Sequence, residues 1–150
     1  MMAAGMAQRA DAQAQLDCAG LVNRLYYALD EHDYTVVDQL FAEDAQFVRL
    51  GARLDGVAAI RAAFAKRPRD MATRHVISNA VVTLQSETAA TGVFYMLVVR
   101  RHGVQADTPR PIPVPGPWRL SVVRAAFRRT ADGWRIARQE TESAFEFAGG

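Results

Sequence analysis

An α+β fold, with a strongly curved mixed or antiparallel sheet wrapped as a cone around three N-terminal helices, is predicted by three observations. Apolar residues recur at helical spacing through the first third of the chain and at strand spacing through the second half. The two regimes follow one another rather than alternating, which places helices on one face of a mostly antiparallel sheet. The length of 150 residues, half of them hydrophobic and 23 % charged, suits one domain with one core. Residues 1–10 are expected to form a flexible N-terminus ahead of a single domain over 11–147.

From about Asp11 to Glu31, Leu16, Ala19, Val22, Tyr26 and Leu29 make one apolar stripe of a first helix. Asp33 is placed to cap a second, shorter helix carrying Val36, Val37, Leu40 and Phe41. A short strand over 45–50 ends at Gly51, and Asp55-Gly56 opens a third helix that Pro68 forbids from continuing. Residues 73–85 and 88–101 read as long strands joined near Ser86-Glu87, and 118–129 and 134–145 as a second pair about the turn Ala131-Asp132-Gly133. Between the pairs, all but one of the six prolines fall in 109–117, a stiff extended loop that cannot enter a sheet interior.

Composition narrows the functional classes. The net charge is +2 and Lys66 is the only lysine. The arginines are spread among acids, without the one-sided basic face or aromatic interleaving of a nucleic-acid binder, so no nucleic-acid partner is expected. No run approaches the roughly 18–20 apolar residues of a membrane helix, and the N-terminus has no apolar leader segment; a cytoplasmic protein without membrane contact is expected. Cys18 is the lone cysteine, which excludes an intrachain disulfide. His32, His75 and His102 show no metal-binding spacing, and nucleotide loops and the hydrolase elbow are missing, so no metal and no cofactor are expected.

Several segments carry a family likeness. Tyr27-Ala28-Leu29-Asp30-Glu31-His32-Asp33-Tyr34 and Leu40-Phe41-Ala42-Glu43-Asp44-Ala45 resemble the opening of nuclear-transport-factor-2-like (NTF2-like) domains. Gly56 to Ile60 fits the next helix, Thr73 to Asn79 the following strand, and Asp132 to Ile136 the last hairpin. The match runs from Leu16 to Phe145 and is similar to the SnoaL-like branch, which includes polyketide cyclases, scytalone dehydratase and relatives of ring-hydroxylating dioxygenase small subunits.

The resemblance to scytalone dehydratase implies that Asp30 orients His75, which then works as general acid and base. A carboxylate that fixes the imidazole tautomer raises its basicity, and such a histidine moves protons near neutral pH. The plain alternative is that Asp30 ends the helix and His75 is a satisfied core histidine. The likeness is incomplete: Leu29 stands where the dehydratase has a tyrosine, and its second histidine falls near Arg100, with His102 close by but out of line. The ketosteroid isomerase pattern fails at Arg49 and Leu25.

Tyr26 and Tyr27 lie one turn before Asp30, either beside the dyad or in the core. Asn79 shares strand parity with His75 and either projects into the same cavity or sits in a bulge. Phe41, Phe47, Phe64 and Met96 are expected to form an apolar wall. Arg124 and Arg138 are either anion ligands or surface ion pairs. The strand holding Phe94, Met96 and Val98 is apolar on both faces, which predicts a homo-oligomer, a dimer or trimer, through the outer sheet face. The expected function is a cofactor-independent lyase, isomerase or cyclase acting on a small hydrophobic oxygenated or cyclic molecule. The alternative is a non-catalytic binding or assembly domain.

Overall fold

Cys18, Leu21, Val22, Leu25, Tyr26 and Leu29, at three- and four-residue steps, give the first helix a continuous buried face. In the computed structural model, which describes residues 1–148, this helix, α1, runs over Met2–Asp30. It therefore starts well before Asp11. The buried stripe is rotated from the one expected: Leu16 is exposed and Cys18 takes its place. Burial pushes the Cys18 thiol up to about 12, so it is an apolar filler with no thiolate.

A one-turn helix α2 (Val37–Leu40) leads directly into β1 (Phe41–Arg49). Asp33 does not cap α2; its carboxylate accepts from the Thr35 N–H at 3.1 Å and from the Thr35 hydroxyl, closing a turn before the helix. Phe41 belongs to the strand because it pairs with Ile136 of the last strand. Leu50 and Gly51, at φ 50° and 74°, form a two-residue turn into β2 (Ala52–Asp55), a strand that the sequence reading did not anticipate. Gly56 (φ 85°) starts α3 (Val57–Ala65), and β3 (Ala72–Leu84), β4 (Ala89–Arg101), β5 (Arg119–Thr130) and β6 (Gly133–Glu146) follow.

The six strands form one open sheet in the order β2-β1-β6-β5-β4-β3. The β1–β6 pair is parallel and the rest are antiparallel. Helix α1 packs across β3 and β6 while α3 covers β1, so the concave face holds the core. Phe47 is its hinge, meeting Phe41 and Phe64 edge-on at 5.9 and 5.4 Å between ring centroids; each such pair is worth about 0.5–1.5 kcal/mol beyond burial. No helix among the described residues is long and apolar enough to cross a membrane.

Two bulges decide which side chains face inward. On β3, Thr73, His75 and Ile77 point into the cone, and an extra residue between Ser78 and Val81 then reverses the parity. On β6, a register shift around Ala137 moves the inward set from Trp134 and Ile136 to Gln139 and Thr141. The long segment between β4 and β5 stays outside the sheet, as its prolines require.

Gly92 sits on the inward face of β4, where a Cβ would come within 2.7 Å of the Phe94 ring and 3.0 Å of the Phe127 ring. Both rings are buried and cannot swing away. Gly92→Ala is therefore expected to lower stability by about 1–3 kcal/mol, read as a reduced urea midpoint at unchanged slope.

Candidate active site

Asp30 is the last residue of α1, and its carboxylate is buried against the start of β3. A carboxylate at a helix C-terminus opposes the helix dipole, so its charge must be held by donors from elsewhere. Three donors do so. The His75 Nδ1–H donates to Oδ1 at 2.5 Å, the Thr73 hydroxyl donates to the same oxygen at 2.7 Å, and the His75 backbone N–H donates to Oδ2 at 2.9 Å. Burial by itself would raise the carboxyl; the His75 and Thr73 donors outweigh it and hold the group below the ordinary carboxylate range.

The ionised carboxylate can only accept, so it fixes the proton of neutral His75 on Nδ1 and leaves Nε2 with a free lone pair. The His75 and Asp30 side chains are 8 % and 7 % exposed, so the pair works in a dry setting. The Tyr26 ring packs on the imidazole at 4.9 Å between centroids. Its hydroxyl accepts from Gln139 Nε2 at 2.8 Å, and burial pushes the phenol above its ordinary value. Tyr26 is therefore a neutral phenol, a donor as well as an acceptor, with the Thr141 hydroxyl beside it.

His75 opens onto a cavity of about 200 Å³ whose wall includes Tyr26, Phe47 and Met96. The expected apolar wall is thus present only in part. Phe41 and Phe64 do not reach this cavity: they are buried behind Phe47 and belong to the core. Asn79 does not project into it either. It is exposed at φ 51° in the β3 bulge, a left-handed position that asparagine tolerates, and the bulge cancels the parity it would have shared with His75. Tyr27 is exposed, leaving Tyr26 as the tyrosine beside the dyad.

The rest of the wall was not anticipated. Arg49, Arg67, Arg100 and Arg119 all line the cavity, together with Trp118. Arg67 Nη2 donates to the Thr73 hydroxyl at 3.1 Å, so a guanidinium lies one hydrogen bond behind the Asp30 carboxylate. Arg100 and Arg119 stack on the Trp118 ring at 3.5 and 3.7 Å from its centroid. A wider groove of about 510 Å³ under the proline loop is lined by Asp30 and Thr73 but not by His75. Met71, Thr73 and Arg100 border both spaces.

The remaining polar candidates are structural. Arg124 and Arg138 are exposed and face Glu142 at 3.8 Å and Glu140 at 3.0 Å. His32 bridges the Tyr34 hydroxyl and the Met71 carbonyl, both at 3.0 Å, and so pins the loop before β3. His102 is exposed beyond the end of β4, away from the dyad.

The Asp30 carboxyl titrates lower in the folded protein than in the unfolded chain, where the ordinary value is about 3.9. Between those two values the unfolded chain binds more protons, so stability rises with pH there. The contribution is complete above the unfolded value and is lost as pH falls through the folded one. Asp30→Asn is expected to lose about 1–3 kcal/mol at neutral pH and to show a shallower acid slope in urea titrations. An unchanged slope would mean that Asp30 does not carry the linkage.

The chain matches the family model described as SnoaL-like domain over residues 10–140. No curated protein sequence matches it. An NTF2-like protein with a cystatin-like fold from Novosphingobium aromaticivorans is 27 % identical, with a TM-score of 0.75 over 98 % of this chain and 90 % of that one. A scytalone dehydratase candidate from the same organism is 18 % identical, with a TM-score of 0.69 over 98 % and 91 % of the two chains. ActVI-ORFA from Streptomyces coelicolor is 20 % identical, with a TM-score of 0.70 over 89 % and 97 %. The last two likenesses are of fold. A family match spanning most of the chain, on an open mixed sheet closed by a long N-terminal helix, makes this protein a member of the SnoaL-like domain family.

Proposed function

We propose that this protein is a cofactor-independent acid/base enzyme of lyase, isomerase or cyclase type, acting on a small oxygenated or cyclic molecule in the cavity beside His75. One observation carries the reading: a buried carboxylate holds the imidazole through Nδ1 while the ring borders a partly enclosed cavity. SnoaL-like proteins include polyketide cyclases and scytalone dehydratase, and the solved relatives include a scytalone dehydratase candidate. That background supports an enzyme without naming its substrate.

In this reading His75 Nε2 takes a proton from a carbon or hydroxyl of the bound molecule, and Asp30 stabilises the imidazolium that forms. The electrons left behind move onto a substrate oxygen, where the Tyr26 phenol and the guanidiniums on the wall offset the charge. The imidazolium then returns the proton to another carbon in an isomerisation, or to a departing hydroxyl as water in an elimination. Protons and electrons balance within the substrate. The apolar part of the molecule rests on Phe47 and Met96.

The rival reading, a non-catalytic assembly domain, draws support from the outer sheet face, where Val76, Val93 and Tyr95 are exposed. Self-association through that face is part of the proposal and is compatible with either reading. The cavity beside His75 favours the enzyme over an assembly domain, and the Asp30–His75 pair bordering it favours the enzyme over a non-catalytic binding domain.

The test is deuterium exchange at acidic C–H positions of a panel of small ketones and keto acids in D₂O. Wild-type protein is expected to catalyse exchange into at least one of them. His75→Gln should lose about 10²–10⁴ of that rate, and Asp30→Asn should lose a substantial part of it with substrate affinity little changed. Equal exchange by folded His75→Gln would overturn the assignment.

A further inference from the structure

Among the described residues, several exposed arginines find carboxylates: Arg53 meets Asp55, Arg61 meets Asp38, Arg128 meets Asp44 and Arg138 meets Glu140, while others, such as Arg24 and Arg101, are left to solvent. The four that line the dyad cavity, Arg49, Arg67, Arg100 and Arg119, enter no ion pair with a described residue either, and unlike those surface arginines they are buried or half-buried, out of full reach of water. Arg119 is 7 % exposed, and its Nε, like that of Arg67, is buried without a hydrogen-bond partner. The buried Thr141 hydroxyl on the same wall has none either. Like charges gathered partly out of water are costly, and an anion among them offsets that cost.

The electrostatics of the individual groups agree. Burial, and then the neighbouring Arg67, lower the Arg49 guanidinium; burial, Arg49 and Arg100 lower Arg119, with Glu146 offsetting only part. Glu146 is exposed and sits opposite Arg119 on β6 without an ion pair. Asp30 is already committed to His75 and Thr73. The unmatched charge is therefore positive and faces the space where a ligand would lie.

We infer that the cavity takes a small organic acid, a ring-sized carboxylate whose anionic group is clasped by Arg119 and its neighbouring guanidiniums while its carbon skeleton lies against Tyr26 and Phe47 within reach of His75. The planar guanidinium fork matches a carboxylate in two-point fashion. Volume sets the size: a cavity of roughly 150 Å³ is enough for benzene, and this one is about 200 Å³. One ring with a carboxylate fits this space. The inference rests on the reading of this cavity as a substrate site and narrows its substrate class from oxygenated molecules to anionic ones.

Benzoate, its neutral counterpart benzamide and inorganic phosphate are the probes, titrated into the full chain and followed by the Trp118 indole N–H and the His75 ring in two-dimensional NMR spectra. Benzoate is expected to shift both residues saturably, with affinity falling as salt rises. Benzamide and Arg119→Met are each expected to weaken binding by about tenfold or more. Should Arg119→Met not fold, Arg100→Gln, at a half-buried position, serves in its place. Benzamide binding as tightly as benzoate, shifts that bypass Trp118, or benzoate binding unchanged by the arginine variants would overturn the inference. Phosphate binding as tightly as benzoate would overturn the carboxylate class. Failure of the enzyme reading is separable, because it would leave benzoate bound in the cavity while His75→Gln changes no exchange rate.

Discussion

A buried carboxylate that must keep its charge is the constraint around which this molecule is organised. Asp30 ends α1 at the pole of the helix that repels an anion, and it lies out of water. Its three donors all come from the first residues of β3, so satisfying it ties the end of the long helix to the edge strand of an open sheet. The same bonds set the height of the helix over the sheet and the tautomer of the histidine. Structure and candidate chemistry therefore share their hydrogen bonds, and a change at Asp30 touches both. His32 reinforces the join by pinning the Met71 carbonyl just before β3.

The second organising feature is charge placed without its complement. In the proposed reading, a half-buried cluster of guanidiniums beside His75 serves two ends. It draws an anion to the site, and it stabilises negative charge developing on a substrate oxygen during proton abstraction. The Arg67–Thr73–Asp30–His75 chain links the two features directly. In that proposal, bound anion, cavity arginines and dyad form one network in which the anion reduces the excess positive charge. The aromatic surface of Trp118 holds Arg100 and Arg119 in place in the meantime.

Much of this was legible in the sequence. The order of helices and strands, the hairpin about Asp132-Gly133 and the Asp30–His75 pair follow from periodicity, turn chemistry and family likeness. What escaped has identifiable physical causes. Leu50 takes a left-handed conformation that leucine does not advertise, so the β1–β2 hairpin went unseen. The bulges at Asn79 and near Ala137 each reverse a strand's parity, which removed Asn79 from the site and brought Gln139 to Tyr26. Phe41 and Phe64 are apolar and near the site in sequence terms, but only packing separates a cavity wall from the layer behind it. The arginines carried a signal that was there to be used. Arg119 shares the inward parity of Ser121, Val123, Ala125 and Phe127, Arg100 that of Met96 and Val98, and Arg49 that of Phe47. An arginine at the end of an inward-facing alternation lies where core gives way to cavity.

The most direct test of the account is the tautomeric state of His75, read from two-bond ¹⁵N–¹H correlations of histidine-labelled protein. With neutral His75, the account predicts a proton on Nδ1 and a bare, pyridine-type Nε2, with this assignment lost in Asp30→Asn. A wild-type His75 protonated on Nε2, or averaging freely between the two nitrogens, would contradict it, because the carboxylate would then not be holding the base that faces the cavity.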